Sequence, residues 1–219
     1  IVDYSFGNFK FLVTSPPIAT VVDLSAEVTP LTASPTRLTV AAINVENLDP
    51  GDAARITALA TQIVANLRSP DVLSLAEVQD DDGPLNSTVT SAAATSAALI
   101  NAICAAGGPL YGYRDIAPVD DADGGEPGGN IRVGFLFNPT RVTFVDRPGG
   151  TATAATAAVA GAAGPQLTAS PGRIDPTNAA FANSRKPLVG EFRFNGHTLF
   201  VIGNHFVAKG SDDALFGRF

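Results

Sequence analysis

Between Ser184 and Ser211 the chain reads SRKPLVGEFRFNGHTLFVIGNHFVAKGS, and this stretch holds the residues best suited to chemistry. Arg185 opens an Arg-x-Pro-Leu step. Two strand-like runs follow, and Asn204-His205 stand where the second run ends. A strand end can offer polar side chains to a ligand while packing stays behind them. A guanidinium that grips phosphate and an imidazole that handles a proton, at adjacent strand edges, point to phosphate-ester chemistry.

Three upstream groups extend the pattern. Glu77 ends the run DVLSLAE and could offer a carboxylate to a hard divalent cation, or stand solvated at a strand terminus. Asp80, Asp81 and Asp82 follow it and read first as a solvated loop, second as metal contributors. Asn44 and Asn47 frame the exit of INVEN. Each can cap a turn or reach a phosphate oxygen, and Glu46 between them faces away. Arg185 reads first as an ordinary surface arginine, but proline at 187 restricts the chain just after it, which raises the chance of a fixed guanidinium that can grip phosphate. His205 can be a packed histidine or a catalytic one. His197, beside the Asn195-Gly196 turn, reads as exposed. Cys104 is the only cysteine, so a disulfide framework and a cysteine metal site are excluded, and its apolar surroundings predict a buried structural thiol. No Walker A motif, GxSxG elbow or HExxH is present. GGEPGGN is not followed by a helix, against a dinucleotide loop.

The elements that must position these groups follow from periodicity. LTVAAIN predicts a buried strand, with DPGD as a turn and Asp52 as an N-cap. Ile56, Leu59, Ile63 and Leu67 form one helical stripe, and SPDVLSLAEV is the next strand. Strand–helix–strand in this order predicts an α/β layered arrangement. A second helix is expected over about 96–106, a short strand at YGYRDI, and a hairpin of IRVGFLF with RVTFVD around Asn138-Pro139-Thr140. A second hairpin joins LVGEFRF and TLFVIGN through Asn195-Gly196. Residues 149–172, rich in Ala, Thr and Gly, read as a mobile surface excursion without chemistry. Residues 1–36 read as an N-terminal segment and linker from an upstream region, with NFKFLV and ATVVDL as strand candidates, and the domain proper as 37–219.

Composition sets bounds. The chain has 219 residues, 45% of them hydrophobic, enough for one good core. No run of roughly 18 apolar residues predicts a membrane span. Met is absent, which suits a processed chain or a piece of a longer one. The net charge of −7 is awkward for a nucleic-acid reader, but it is uneven. Residues 1–128 carry 5 Lys+Arg against 16 Asp+Glu, whereas 129–219 carry 9 against 5. The proposed phosphate-facing groups lie mostly in the positive part, and a divalent metal would add charge the count omits.

In this order the segments resemble the endonuclease/exonuclease/phosphatase superfamily. The matching features are Asn-x-x-Asn at Asn44 and Asn47, the strand ending in Glu77, a GFLFNP-type strand, Arg-x-Pro-Leu, and the Asn-His strand end. NHF followed by Lys-Gly looks most like the secreted bacterial nuclease branch, which implies an extracellular setting. The resemblance spans about 38–219 and implies an α/β fold of the α+β type: a four-layer sandwich of two packed, mainly antiparallel sheets flanked by helices. About half of it is supplied here. It implies a metal-dependent phosphodiester hydrolase acting on DNA or RNA, with Mg²⁺ as cofactor and Mn²⁺ or Ca²⁺ as alternatives. Glu77 would bind the metal. His205, Arg185 and Asn44 would be catalytic, and Asn130, Arg132 and Asn204 would contact substrate. Ala76 stands where the family usually has Gln. The family's later Gly-Asp-x-Asn and Asp-His motifs do not occur before Phe219, so the C-terminal half is expected as a separate chain or a continuation, and this chain alone is expected to be inactive. Two other readings stay open: a phosphodiesterase or phosphatase on a lipid or sugar phosphate, and a catalytically dead secreted binding module.

Overall fold

The computed structural model describes residues 2–5, 7–11 and 25–206. β1 (Val2–Ser5) and β2 (Asn8–Phe11) form a small antiparallel hairpin. ATVVDL and everything after Phe206, the Lys-Gly step included, lie outside the described residues.

The first large sheet contains β3 (Val40–Leu48), β4 (Val72–Val78), β5 (Gly112–Asp115) and β6 (Arg132–Phe137), in the order β3-β4-β6-β5. β3 and β4 run parallel, and the other pairs are antiparallel. The parallel pair needs a crossover, supplied by α1 (Ala53–Thr61) and the π-helical turn Gln62–Asn66 that continues it. Asp52 stands at the N-cap of α1, but its side chain makes no capping bond. The stripe does what its spacing demands. Ile56, Leu59 and Ile63 are buried, and Leu67 packs against them. α2 (Ala93–Ala105) adds Leu99 and Ile103 to the same core, against Leu73, Leu75 and Leu136 from the sheet.

The opposite face of this sheet meets a second one. β7 (Thr143–Phe144), β10 (Gly172–Arg173), β11 (Leu188–Phe194) and β12 (His197–Gly203) form an antiparallel sheet with β11 pairing to the other three. Alternation decides which side chains enter the interface. Val133, Phe135 and Phe137 of β6 pack against Leu188 and Phe192 of β11 and Leu199 and Val201 of β12. Phe192 is fully buried and sits edge-on to Phe135 at 5.7 Å and to Phe144 at 4.9 Å between ring centroids. The architecture is an α+β sandwich: a helical layer, then two packed, mainly antiparallel sheets. Among the described residues no helix is long and apolar enough to cross a membrane.

Several expectations need correction. LTVAAIN is not buried on both faces. β3 is an edge strand, with Val40, Ala42 and Asn44 exposed and only the alternate residues packed inward. IRVGFLF and RVTFVD are not a hairpin. The turn at Asn138-Pro139-Thr140 carries the chain from one sheet to the other, so β6 pairs with β4 and β5 while β7 pairs with β11. The low-complexity stretch is ordered. It forms the hairpin of β8 (Ala158–Gly161) and β9 (Gly164–Leu167), and Leu167, Ala169 and Ser170 are buried. Arg147 makes a two-pronged pair with the buried Glu191, which also accepts from the Leu167 N–H. Small residues allow this close approach, which composition alone reads as disorder. Cys104 is half-buried rather than sealed, and its thiol points at the Pro109 carbonyl.

Candidate phosphate and metal site

Register explains why distant residues meet. In the antiparallel pair of β11 and β12, Leu188 faces Gly203, so the residues just before one and just after the other run side by side. Arg185 and His205 occupy those flanks, and the Arg185 Nε–H donates to His205 Nδ1 at 3.1 Å. The Asn195-Gly196 turn sets this register, with both residues at positive φ (49° and 77°), the signature of a tight hairpin. Gly203 lets the end of β12 sit close on the first sheet. A Cβ there would lie 2.5 Å from Ser74 Oγ and 2.6 Å from Val133 Cγ1.

The other half of the cluster comes from β3 and β4. Their pairing is regular down to Asn44 opposite Ala76, then breaks before Leu48 opposite Val78. β4 also slips against β6 between Leu75 and Val78. Glu46, Asn47 and Glu77 take left-handed φ values of 58°, 53° and 63° in these irregularities. A non-glycine residue there costs about 1 kcal/mol or more, and such strain concentrates at functional sites. Bulges re-aim side chains. Here Asn44 Oδ1 accepts from the Glu46 N–H at 2.8 Å, holding the irregular turn, while its Nδ2 donates to Glu77 Oε1 at 2.8 Å.

The two halves join at Glu77. His205 Nε2 lies 3.1 Å from Glu77 Oε1, giving one continuous chain: Asn44, Glu77, His205, Arg185. An arginine N–H can only donate, so Nδ1 of His205 must accept, and the ring proton sits on Nε2 facing the carboxylate. Burial, and then the neighbouring Arg185, hold the imidazole below the usual histidine range, consistent with a neutral ring. Burial likewise lowers Arg185, against the pull of Glu77 and Asp123. Among the described residues no carboxylate forms an ion pair with Arg185, whereas Lys186 and Arg173 both pair with Asp123, at 2.8 and 2.9 Å. Arg185 thus faces the cluster with its charge uncommitted, backed by a neutralised layer.

A glycine-rich loop supports the guanidinium from behind. Gly125, in the Gly-rich loop at 124–129, lies against the Arg185 side chain with φ +96°. A Cβ there would lie 2.7 Å from Arg185 Nη1 and 2.6 Å from Ile131 Cδ1. The doubled glycines of GGEPGGN were the available signal. Of these glycines Gly125 lets backbone approach the guanidinium, while Gly124, Gly128 and Gly129 meet Asn183, Pro84 and Gln79.

The remaining candidates divide. Asn204 is exposed beside His205. Asn47 is turned to Glu126, with Nδ2 donating to Oε2 at 2.6 Å. His197 is exposed at its turn, as its position implied. Asn130 and Arg132, expected at the substrate, are engaged within the protein. Both are buried, Asn130 donating to Asp80 Oδ2 through its N–H and its Nδ2, and Arg132 bonded to the Asn130 carbonyl and to Asp115. The acidic run is not a solvated loop either. Asp80 is fully buried, and Asp81 accepts from the N–H groups of Ala94 and Thr95 at the start of α2.

Among the described residues no three acidic, histidine or cysteine side chains gather to hold a metal. Glu77 still fits a Mg²⁺ ligand. Its side chain is 21% exposed at the mouth of the cluster, and Mg²⁺ commonly takes one or two carboxylates and fills its shell with water and substrate phosphate.

No protein-family model matches this chain, and no curated protein does. Among solved structures it is similar to humanized D. rerio TDP2 carrying 14 mutations, at 17% identity and TM-score 0.36, covering 75% of this chain and 48% of that one. It is likewise similar to D. rerio TDP2 complexed with single strand DNA product, at 17% identity and TM-score 0.36, covering 75% and 44%. The chain spans about half the length of each.

Proposed function

We propose that this chain carries the phosphate-binding and metal-binding side of a phosphodiester hydrolase acting on nucleic acid, in an extracellular protein. The observation that carries the reading is the unbroken chain of hydrogen bonds from Asn44 through Glu77 and His205 to Arg185. Four residues from four separate segments meet there, and one of them, Glu77, is held at a left-handed φ of 63°.

Glu77 would hold a divalent cation, Mg²⁺ by the hardness of its oxygen ligand. When bound, that ion polarises the phosphoryl group and steadies the leaving oxygen. Arg185 offers a buried cation that no carboxylate pairs with among the described residues, suited to charge that develops on phosphate oxygens. His205 holds its proton on Nε2 and can present it to a phosphate oxygen. Asn44 fixes the Glu77 carboxylate, and its amide can donate to the substrate as well. The activating base for water, and the part of the protein that bears it, belong to this reading as a C-terminal half beyond the described residues.

The test is cleavage of supercoiled plasmid by the whole protein in Mg²⁺, with and without EDTA. Glu77→Ala should abolish Mg²⁺-dependent nicking. Unchanged nicking in that variant would remove Glu77 as the metal ligand.

A further inference from the structure

Among the described residues, the buried oxygens Asn47 Oδ1, Asp80 Oδ1 and Asp82 Oδ1 have no hydrogen-bond partner. Asp80 is 0% exposed. Its Oδ2 is occupied, accepting from the Asn130 N–H at 2.9 Å and from Asn130 Nδ2 at 3.0 Å. Asp82 lies against the same carboxylate, within side-chain hydrogen-bond reach. Burial, and with it the adjacent Asp82 carboxylate, push Asp80 above the usual aspartate range.

An anionic pair of this kind is not stable by itself. Removing one carboxylate from water without a partner costs several kcal/mol, and a second beside it adds repulsion. Among the described residues no Lys or Arg pairs with Asp80 or Asp82: Arg132, which reaches both loops, is bonded to the Thr90 and Asn130 carbonyls and to Asp115. The loops 79–91 and 117–130 contain seven acids and no Lys or Arg. The ion pairs described for these loops belong to Asp123, with Arg173 and Lys186. Asp81 is spent on the N-terminus of α2.

We propose that Asp80 and Asp82 bind a second divalent cation, Ca²⁺, separate from the ion assigned to Glu77. Its remaining ligands are neutral oxygens and water, since no third acidic side chain joins the pair among the described residues. Ca²⁺ suits this better than Mg²⁺ because it accepts an irregular shell of carboxylate, amide and carbonyl oxygens. The ion would tie the acidic loop to Asn130, whose Nδ2 also donates to Asp120 Oδ1, and so lock together the two loops beside the Arg185 cradle. The site does not depend on the proposed hydrolase activity.

The experiment uses the full chain carrying Glu77→Gln, so that the first metal position is disabled. Ca²⁺ titrated at pH 7 by calorimetry should bind once per chain and raise the melting temperature. Mg²⁺ should bind at least tenfold more weakly, and adding Asp82→Asn should weaken Ca²⁺ at least tenfold and remove the thermal shift. Absence of Ca²⁺ binding in the Glu77→Gln chain would overturn the proposal whether or not the Asp82 variant folds. Binding that survives Asp82→Asn would overturn it too. So would an Asp82→Asn protein more stable in EDTA and indifferent to Ca²⁺, because the pair would then hold a shared proton.

Discussion

Replacing Gly125 with alanine tests whether the glycine-rich loop exists to cradle Arg185. Two costs add. The first is backbone strain: φ is +96°, and a left-handed alanine costs about 1–2 kcal/mol. The second is steric. The new methyl would stand 2.6 Å from Ile131 Cδ1 and 2.7 Å from Arg185 Nη1, where carbon contacts prefer about 3.5–4.0 Å. Ile131 is 2% exposed and Arg185 9%, so neither can swing freely into water. Overpacking of this kind costs about 1–3 kcal/mol. Gly107 supplies the control, with φ +90° and nothing within 4 Å of an added Cβ. Gly107→Ala should therefore show strain alone. By thermal unfolding, Gly125→Ala should melt lower than Gly107→Ala by roughly 2–12 °C, at about 2–4 °C per kcal/mol for a chain of this size. Only the Gly125 variant should also shift the NMR signals of the Arg185 guanidinium and the His205 ring. Equal melting points with both sets of signals unmoved would refute the cradle.

Two further predictions follow from the buried charges. Glu191→Gln leaves Arg147 without its carboxylate and should lower stability, measured by urea unfolding. The hydrogen bonds from Arg147 hold the Glu191 pKa below its ordinary value, so its contribution is present above the usual glutamate range and lost as pH falls through the depressed value. The variant should accordingly lose part of the wild type's acid-induced destabilisation; an unchanged acid limb would count against the pair. For His205, ¹⁵N NMR should show a neutral ring protonated on Nε2 at pH 7, titrating below the ordinary histidine range. A ring charged at pH 7 would contradict the donor–acceptor order at Arg185.

Much of the site's convergence was legible because it rests on short-range rules. A run ending in Glu77 and a run ending at Asn44 are neighbours whenever a helix crosses between parallel strands. An Asn-Gly turn fixes which residues flank a hairpin, and that places Arg185 beside His205. What was hidden depends on three-dimensional context. Nothing local to Asn130 or Arg132 says that Asp80 and Asp115 will bury them. The turn at Pro139 has the same signature whether the chain folds back in its own sheet or crosses to another. The strained backbone at Glu46, Asn47 and Glu77 contradicts the preferences of those residues, as happens where neighbours impose geometry that the local sequence would refuse. The 149–172 segment was misread because small residues serve both disorder and close packing.

The central claim is that Glu77, Asn44, His205 and Arg185 form a single pocket for phosphate and a divalent ion. Its most direct measurement is a ¹H–¹⁵N titration of the His205 ring and Arg185 guanidinium with Mg²⁺ and a short single-stranded deoxyoligonucleotide, in wild type and in Glu77→Ala. Both side chains should shift together in wild type, and Glu77→Ala should remove the Mg²⁺-dependent part. Shifts confined to one of the two residues, or the same Mg²⁺ response without the carboxylate, would contradict it.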